Sequence, residues 1–179
     1  MTKARSRRRM IQGTAGGDSG GVGSSAKSGS DSSRLEVLFL AALAAIGLGV
    51  AGYLTVVHYA PTLLVCSASG FVNCEAVLTS AFSVVPGTSI PITVPGLGFF
   101  LVSLALAIAQ LRRPANYGLR QAHAVWAGLG LLTIFYLIFV EFVELRTICL
   151  WCTSVHVVIL LTFLLTLWRL YPKPSVRQP

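Results

Sequence analysis

Charged side chains are scarce in this chain. Only 11% of its 179 residues are Asp, Glu, Lys or Arg, and just six of these are acidic, whereas 54% of the residues are hydrophobic and the mean hydropathy is +0.74. A soluble monomer of this composition would lack the polar side chains needed to cover its surface. The composition excludes that class and predicts an integral membrane protein.

Regular alternation of polar and apolar residues is also missing, which excludes the strands of a membrane β-barrel. Instead the chain has continuous apolar runs rich in Leu and Ala, and each is close to the roughly 20 residues that a helix needs to cross a bilayer. The predicted fold is an all-α bundle of four transmembrane helices. The spans are predicted at about 37–59, 91–111, 122–143 and 149–170.

Basic residues are distributed unevenly between the two sides of these spans. Of the 14 Lys and Arg residues, seven lie at or before Arg34, three lie between the second and third spans, and three follow the fourth. Only Arg146 falls on the other side. Because cytoplasmic flanks retain Lys and Arg, we expect cytoplasmic termini in an inner or plasma membrane, with segments 60–90 and 144–148 facing outward.

This topology, together with anionic lipid at the inner leaflet, accounts for the net charge of +8 without a nucleic-acid partner. Segment 1–34 is rich in Ser, Gly and Arg and has little to bury, so it is predicted to be a disordered, basic cytoplasmic tail. A second short cytoplasmic tail is predicted at 172–179. In the outer loop, apolar residues at helical spacing over 74–82 predict a short helix that caps the bundle.

The chain has only four cysteines, and all of them fall on the predicted outer side, where thiols are not held reduced. Cys66 and Cys74 lie in the first outer loop, where a structural disulfide is one interpretation. Cys149 and Cys152 open the fourth span. Their spacing is unlike that of a four-thiolate zinc site, so no metal is expected, and no βαβ pattern surrounds them as in thioredoxin.

The second cysteine pair has the features of a reactive disulfide. Positions three apart on a helix are close neighbours, so a small adjustment of the first turn joins Cys149 to Cys152. A bond that closes so small a loop adds little stability. Cys149 is predicted at the helix N-terminus, where backbone N–H groups stabilise the thiolate that attacks disulfides. The pattern therefore predicts thiol–disulfide exchange, with Cys152 one turn deeper toward a lipid-soluble oxidant.

The loop pair Cys66 and Cys74, Ser80 shortly after it, and the Cys149-x-x-Cys152 motif opening the fourth of four spans resemble the vitamin K epoxide reductase (VKOR) family. The likeness covers nearly all of the predicted membrane domain, 35–171. It implies a four-helix bundle that encloses a quinone, with electrons passing from the loop cysteines to Cys149 and Cys152 and then to the quinone. Ser80 matches the family's loop hydroxyl and is implied to contact the quinone.

Two departures narrow the activity that the resemblance implies. The vertebrate branch carries Thr-Tyr where this chain has Val155-His156, and it carries a quinone-contacting Asn before the second span, where this chain has none between Ala81 and Phe100. The chain is more similar to the bacterial members that oxidise proteins, although without their fused thioredoxin-like domain. The implied partner is therefore a separate thioredoxin-fold, DsbA-like protein, and the implied acceptor is a menaquinone, ubiquinone or vitamin K type quinone.

Two further side chains near the motif, His156 and Trp151, are candidates for the site. His156 lies one turn below Cys152 on the same face, so we expect it to hydrogen-bond a quinone carbonyl or handle its proton. Trp151 is expected to anchor the membrane interface or border the quinone. Glu141 and Glu144, at the end of the third span, are expected to pair with Arg146 or with lipid headgroups and not to take part in catalysis.

Two alternatives remain open. The same thiols suit a reductase of vitamin K quinone or its epoxide. A tetraspan scaffold with two structural disulfides represents a different class, although the chain lacks the buried charge pairs and broken helices expected of a transporter. The sequence favours a quinone-dependent thiol oxidoreductase that reoxidises an extracytoplasmic protein and so drives disulfide formation.

Overall fold

The computed structural model describes residues 23–66 and 71–171, with side chains from residue 31 onward. Its described part is built of helices, and four of them are long and apolar enough to cross a membrane. This confirms the predicted all-α bundle of four spans. The helices are α1 (Gly23–Tyr59), α2 (Cys74–Leu78), α3 (Thr93–Arg112), α4 (Tyr117–Phe139), which continues as a π-helical turn (Val140–Leu145), and α5 (Leu150–Leu170).

The largest difference from the predicted boundaries is at the start of α1, which begins at Gly23 and not near residue 37. Part of the segment predicted as a tail is therefore helical. No proline interrupts 23–34, and a helix that is already formed over an apolar run extends by one hydrogen bond for each residue added. The rest of the predicted tails, 1–22 and 172–179, lies outside the described residues.

The spanning helices pack through close contacts between small residues and rings. α1 lies against α3 and α5, and α4 lies against α3 and α5 in turn. A Cβ atom added at Gly47 of α1 would overlap the ring of Phe100, which is fully buried on α3. Outward-facing positions such as Leu132 and Phe135 remain exposed on the surface of α4. Exposed apolar side chains of this kind suit a surface in contact with lipid.

A polar cluster lies inside the bundle near the end opposite the cysteines. Gln110 of α3 and His123 of α4 are both buried, and the Gln110 Nε2 atom is 2.9 Å from His123 Nδ1. Arg169 of α5 donates to Gln110 Oε1 and forms a salt bridge with Glu36, with 3.3 Å between Nε and Oε2. Side chains from all four spans therefore meet here and pair with one another, as is usual for polar groups inside a membrane domain, although His123 Nε2 has no hydrogen-bond partner among the described residues.

At the other end, the cysteine-bearing segments are held together by backbone pairing. The N–H of Ile148 donates to Phe71 O at 2.8 Å, and the N–H of Asn73 donates to Ile148 O at 3.1 Å. Asn73 also caps α2 by accepting from the N–H of Ala76. Cys74 follows Asn73 and Cys149 follows Ile148, so this pairing places the two cysteine motifs side by side.

Candidate active site

Cys149 is the N-cap of α5, as the sequence predicts. Its sulfur accepts a hydrogen bond from the backbone N–H of Cys152 at 3.3 Å, and its side chain is buried. Both cysteines are free thiols. The first turn of α5 therefore holds the two sulfurs on one face, in the reduced state of the pair.

The environment of Cys149 favours its thiolate. The Cys152 thiol donates a hydrogen bond to the Cys149 sulfur, and this bond, helped by the backbone N–H groups of Trp151 and Cys152, holds the pKa of Cys149 below its ordinary value. Burial and the nearby carboxyl of Glu141 act in the opposite direction. Cys149 is consequently the better nucleophile of the pair.

The loop cysteines Cys66 and Cys74 are joined in a disulfide. Cys74 is 1% exposed, at the start of α2, whereas Cys66 is half-buried. A cavity of about 280 Å³ opens beside this disulfide, with Pro61, Thr62 and Glu75 in its lining. Of the two loop sulfurs, Cys66 is therefore the one that an incoming thiol can reach.

Trp151 contacts this loop. Its indole N–H donates to Val65 O at 2.9 Å, and its ring centroid lies 4.9 Å from that of Tyr53. The Tyr53 hydroxyl donates to Leu63 O at 3.2 Å and accepts from the N–H of Val65 at 2.9 Å. The two rings thus clamp the segment that leads into Cys66. Trp151 is not among the residues that line the apolar cavity described next, so its role at the quinone stays a prediction.

A cavity of about 380 Å³ lies among all four spanning helices, directly below the thiols. Its lining is almost entirely apolar and includes Phe99 and Trp126, whose rings stack with centroids 5.7 Å apart and planes 13° apart. The Trp126 indole N–H donates to Phe99 O at 3.1 Å and fixes this arrangement. Cys152 and His156 line the cavity at its cysteine end. It therefore offers an apolar slot, with two stacked rings in its wall, that ends at the Cys152 thiol.

A narrower cleft of about 50 Å³ is lined by the polar side chains near the thiols. Ser80, Cys152 and His156 line it together, as does Glu141 from the π-helical turn. The Ser80 hydroxyl donates to Val77 O at 2.8 Å. Three of the predicted site residues, Ser80, Cys152 and His156, are thus brought together, and His156 is buried one turn below Cys152.

The model of the vitamin K epoxide reductase family matches residues 38–167, which is most of the chain and contains all four cysteines. The chain belongs to the vitamin K epoxide reductase family. Comparison with curated proteins gave no match. Family membership, together with the four apolar helices, makes the chain a multi-pass membrane oxidoreductase.

Two features of this VKOR-family site were not predicted from the sequence. Phe99 and Trp126 form the wall of the cavity, although their sequence contexts are those of ordinary apolar spans. Glu141, expected to pair near the surface, is 4% exposed, and its carboxyl accepts a hydrogen bond from the backbone N–H of Cys149. The π-helical turn shifts the register of the residues that follow Phe139, which an α-helical reading of the sequence does not anticipate.

Proposed function

We propose that this protein is a quinone-dependent thiol oxidoreductase that reoxidises an extracytoplasmic thioredoxin-fold protein and thereby drives disulfide formation. The observation that carries the proposal is the position of Cys152, which lines the apolar cavity while its partner Cys149 lies beside the loop disulfide. One thiol of the pair thus meets a lipid-soluble acceptor and the other meets a disulfide.

The cavity suits a quinone. Its volume of about 380 Å³ lies within the usual range for small-molecule sites, and its apolar lining suits a molecule taken from the bilayer. The stacked rings of Phe99 and Trp126 match a planar headgroup, and His156 offers a polar contact at the thiol end. A bound quinone supplies an acceptor for two electrons and two protons.

The loop cysteines begin the proposed electron route. A thiolate of the reduced partner attacks Cys66, the more exposed sulfur, and releases Cys74 as a thiolate. The second thiol of the partner then resolves the mixed disulfide. The partner leaves oxidised, and the loop pair has gained its two electrons.

The second exchange takes place within the protein. The Cys74 thiolate attacks Cys149 in a Cys149–Cys152 disulfide and releases Cys152. The Cys66 thiolate then attacks Cys74, which restores the loop disulfide and releases Cys149. The structure, with the loop pair oxidised and the α5 pair reduced, corresponds to the state reached after this exchange. Reforming the Cys149–Cys152 bond then releases two electrons and two protons to the quinone.

The proposed orientation places the cysteine end outside and both termini in the cytoplasm. Its support is the distribution of Lys and Arg, with Arg112, Arg113, Arg120 and Arg169 all at the other end of the bundle. In this orientation the cavity beside the Cys66–Cys74 disulfide faces the compartment in which proteins acquire disulfides.

Activity assays with single-cysteine variants test the proposal. The variants Cys149→Ala and Cys152→Ala are expected to abolish reduction of a soluble quinone analogue by a small dithiol. Cys66→Ser is expected to retain part of this activity, since a small dithiol can reach the α5 pair, but to lose activity with a thioredoxin-fold donor. Normal turnover by Cys149→Ala or Cys152→Ala would end the proposal.

The same preparation separates the alternatives. With vitamin K epoxide as acceptor we expect no turnover, because Val155 and His156, which replace Thr-Tyr of the vertebrate branch, both line the cavity. Turnover of the epoxide at a rate similar to that of the quinone would instead favour a reductase. A scaffold with two structural disulfides requires a second bond, whereas Cys149 and Cys152 are free thiols here.

A further inference from the structure

The π-helical turn brings an acidic side chain into the thiol site. Val140–Leu145 follows α4 without a break, and its buried residues are Val140 and Glu141, of which Glu141 carries the charge. Its backbone carbonyl accepts from the N–H of Thr147 at 3.1 Å, which closes the turn below Ile148 and Cys149. Glu144 of the same turn is exposed. The turn therefore presents one carboxyl to the site and one to the surroundings.

The inward carboxyl of Glu141 is in contact with the reactive pair. It accepts a hydrogen bond from the backbone N–H of Cys149, and its charge acts on both the Cys149 and Cys152 thiols. Glu141 also lines the narrow cleft that leads past Cys152 to His156. A salt bridge for Glu141 is not present among the described residues. The carboxyl therefore has the site's thiols, and not a basic side chain, as its electrostatic partners.

This arrangement disfavours a negative charge on Cys149 and on Glu141 at the same time. A Cys149 thiolate and a Glu141 carboxylate repel each other strongly in a buried site, because the low dielectric constant screens them little. The repulsion is relieved when one proton is shared, so that the thiolate forms as the carboxyl takes up its proton. The site then holds a single negative charge.

We infer that Glu141 is the proton acceptor for the Cys149–Cys152 dithiol and passes protons along the cleft toward the quinone end of the site. This inference rests on the proposed function for the direction of transfer. In the balanced step Glu141 takes the proton of Cys149, and the Cys149 thiolate bonds to the sulfur of Cys152 while the Cys152 S–H bond breaks and its proton and the electron pair go to the quinone. Two electrons and two protons leave the dithiol, and the quinone receives both.

The other charged side chains near the turn are exposed, unlike Glu141. Glu144 and Arg146 are exposed on the turn and the loop after it, and Glu75 is exposed on α2, which packs against the turn. His156 of α5 shares the cleft with Glu141. Among the described residues, His156 is therefore the titratable side chain placed to continue the path from Glu141.

The substitution Glu141→Gln separates proton transfer from positioning. The amide oxygen of Gln still accepts from the Cys149 N–H, but the side chain can neither carry the negative charge nor take up the proton. Without the charge, the Cys149 thiolate should form at lower pH. Without the acceptor, turnover should fall by roughly 100-fold, the lower end of the usual contribution of general acid–base catalysis. The matched control is Glu144→Gln.

Two measurements are made on each variant. The ultraviolet absorbance of the thiolate is followed against pH in the reduced protein, without donor or quinone. The pH profile of kcat for quinone reduction is measured beside the KM for quinone. We expect Glu141→Gln to shift the thiolate titration to lower pH and to lower kcat with KM unchanged. We expect Glu144→Gln to match wild type in both measurements.

The outcomes distinguish this inference from the proposed function. A lowered thiolate titration with unchanged kcat would mean that Glu141 acts only through its charge, and an unchanged titration with lowered kcat would mean that it only shapes the site. Either result overturns the inference. If wild type reduced no quinone, the proposed function would fail, while the titration would still report whether Glu141 and Cys149 share a proton.

Discussion

Trp151 donates its indole N–H to the carbonyl oxygen of Val65 at 2.9 Å, and so ties the first turn of α5 to the residue that precedes Cys66. The same turn carries Cys149 and Cys152. The position of the loop disulfide relative to Cys149 and Cys152 therefore depends on a contact made by a residue of the Cys-x-x-Cys motif itself.

The first prediction concerns this contact. Trp151→Phe keeps the ring beside Tyr53 but removes the donor, so the Val65 segment should loosen. A hydrogen bond of this kind contributes about 1 kcal/mol, which corresponds to roughly fivefold faster amide exchange. Hydrogen exchange of the segment that contains Val65 measures this. Trp168→Phe, at an exposed position near the other end of the bundle, is the control.

Quinone binding by Trp151→Phe tests the other role expected of Trp151, a place beside the quinone. If amide exchange in Trp151→Phe were unchanged and quinone binding weakened instead, Trp151 would border the quinone, as the sequence suggested. We expect the affinity for quinone to stay within about twofold of wild type, because the ring remains and the cavity is lined by other side chains.

The second prediction tests the cavity. A Cβ atom at Gly130 would lie 2.5 Å from Phe99 Cε2 and 3.2 Å from Ile159 Cγ2, so Gly130→Ala must push the Phe99 ring into the slot. Forced repacking of this kind costs about 1–3 kcal/mol, and we expect the affinity for a quinone analogue to fall at least tenfold. Quenching of tryptophan fluorescence by the analogue reports binding.

A matched control for this prediction lies on the same helix. At Gly128 the nearest atom to an added Cβ is Phe163 Cε2 at 3.7 Å, an ordinary contact, so Gly128→Ala should bind quinone like wild type. Equal affinity for the two variants, with both folded, would show that the slot beside Phe99 is not where the quinone binds.

The third prediction concerns the pH dependence of Cys149. Removing the thiol donor in Cys152→Ala should raise the pKa of Cys149 toward its ordinary value, because the hydrogen bond from Cys152 is the main cause of its lowering. The thiolate absorbance of the reduced variant should then appear at higher pH. A titration unchanged from wild type would mean that the helix N-terminus alone sets the pKa of Cys149.

The lowered pKa of Cys149 also affects the stability of the reduced protein. Its pKa is lower in the folded chain than in the unfolded chain, so its ionisation stabilises the fold above the unfolded pKa, and this contribution is lost as pH falls through the folded pKa. Thermal unfolding of the reduced protein should therefore show a gain at alkaline pH that is absent in Cys149→Ala.

The fourth prediction concerns the polar cluster at the other end. Gln110→Leu removes a hydrogen-bond partner from both His123 and Arg169, and we expect it to destabilise the fold by about 1 kcal/mol, a fall of roughly 2–4 °C in Tm. The kcat for quinone reduction should not change. Gln121→Leu, at an exposed position on α4, is the control; a large loss of turnover in Gln110→Leu would give the cluster a role in the reaction.

Local patterns account for most of the fold. The apolar runs gave the four spans to within a few residues at most of their ends, because a helix in lipid must satisfy its backbone internally over a fixed length. The exceptions are the start of α1, which extends to Gly23, and the π-helical turn after Phe139. The π-helical turn carries no proline or glycine, and the glycines near the start of α1 do not mark it, because Gly29 lies within the helix; both features depend on whether an existing helix continues.

The sequence by itself determined the membrane class, the four spans, the four cysteines and the position of Cys149 at a helix start, because each follows from composition or from spacing along one segment. Tertiary structure decided how the segments meet. It placed Trp151 against Val65, built the slot from Phe99 and Trp126, and turned Glu141 inward onto the N–H of Cys149. These contacts join residues on separate segments, so they depend on how the helices pack and on the register set by the π-helical turn.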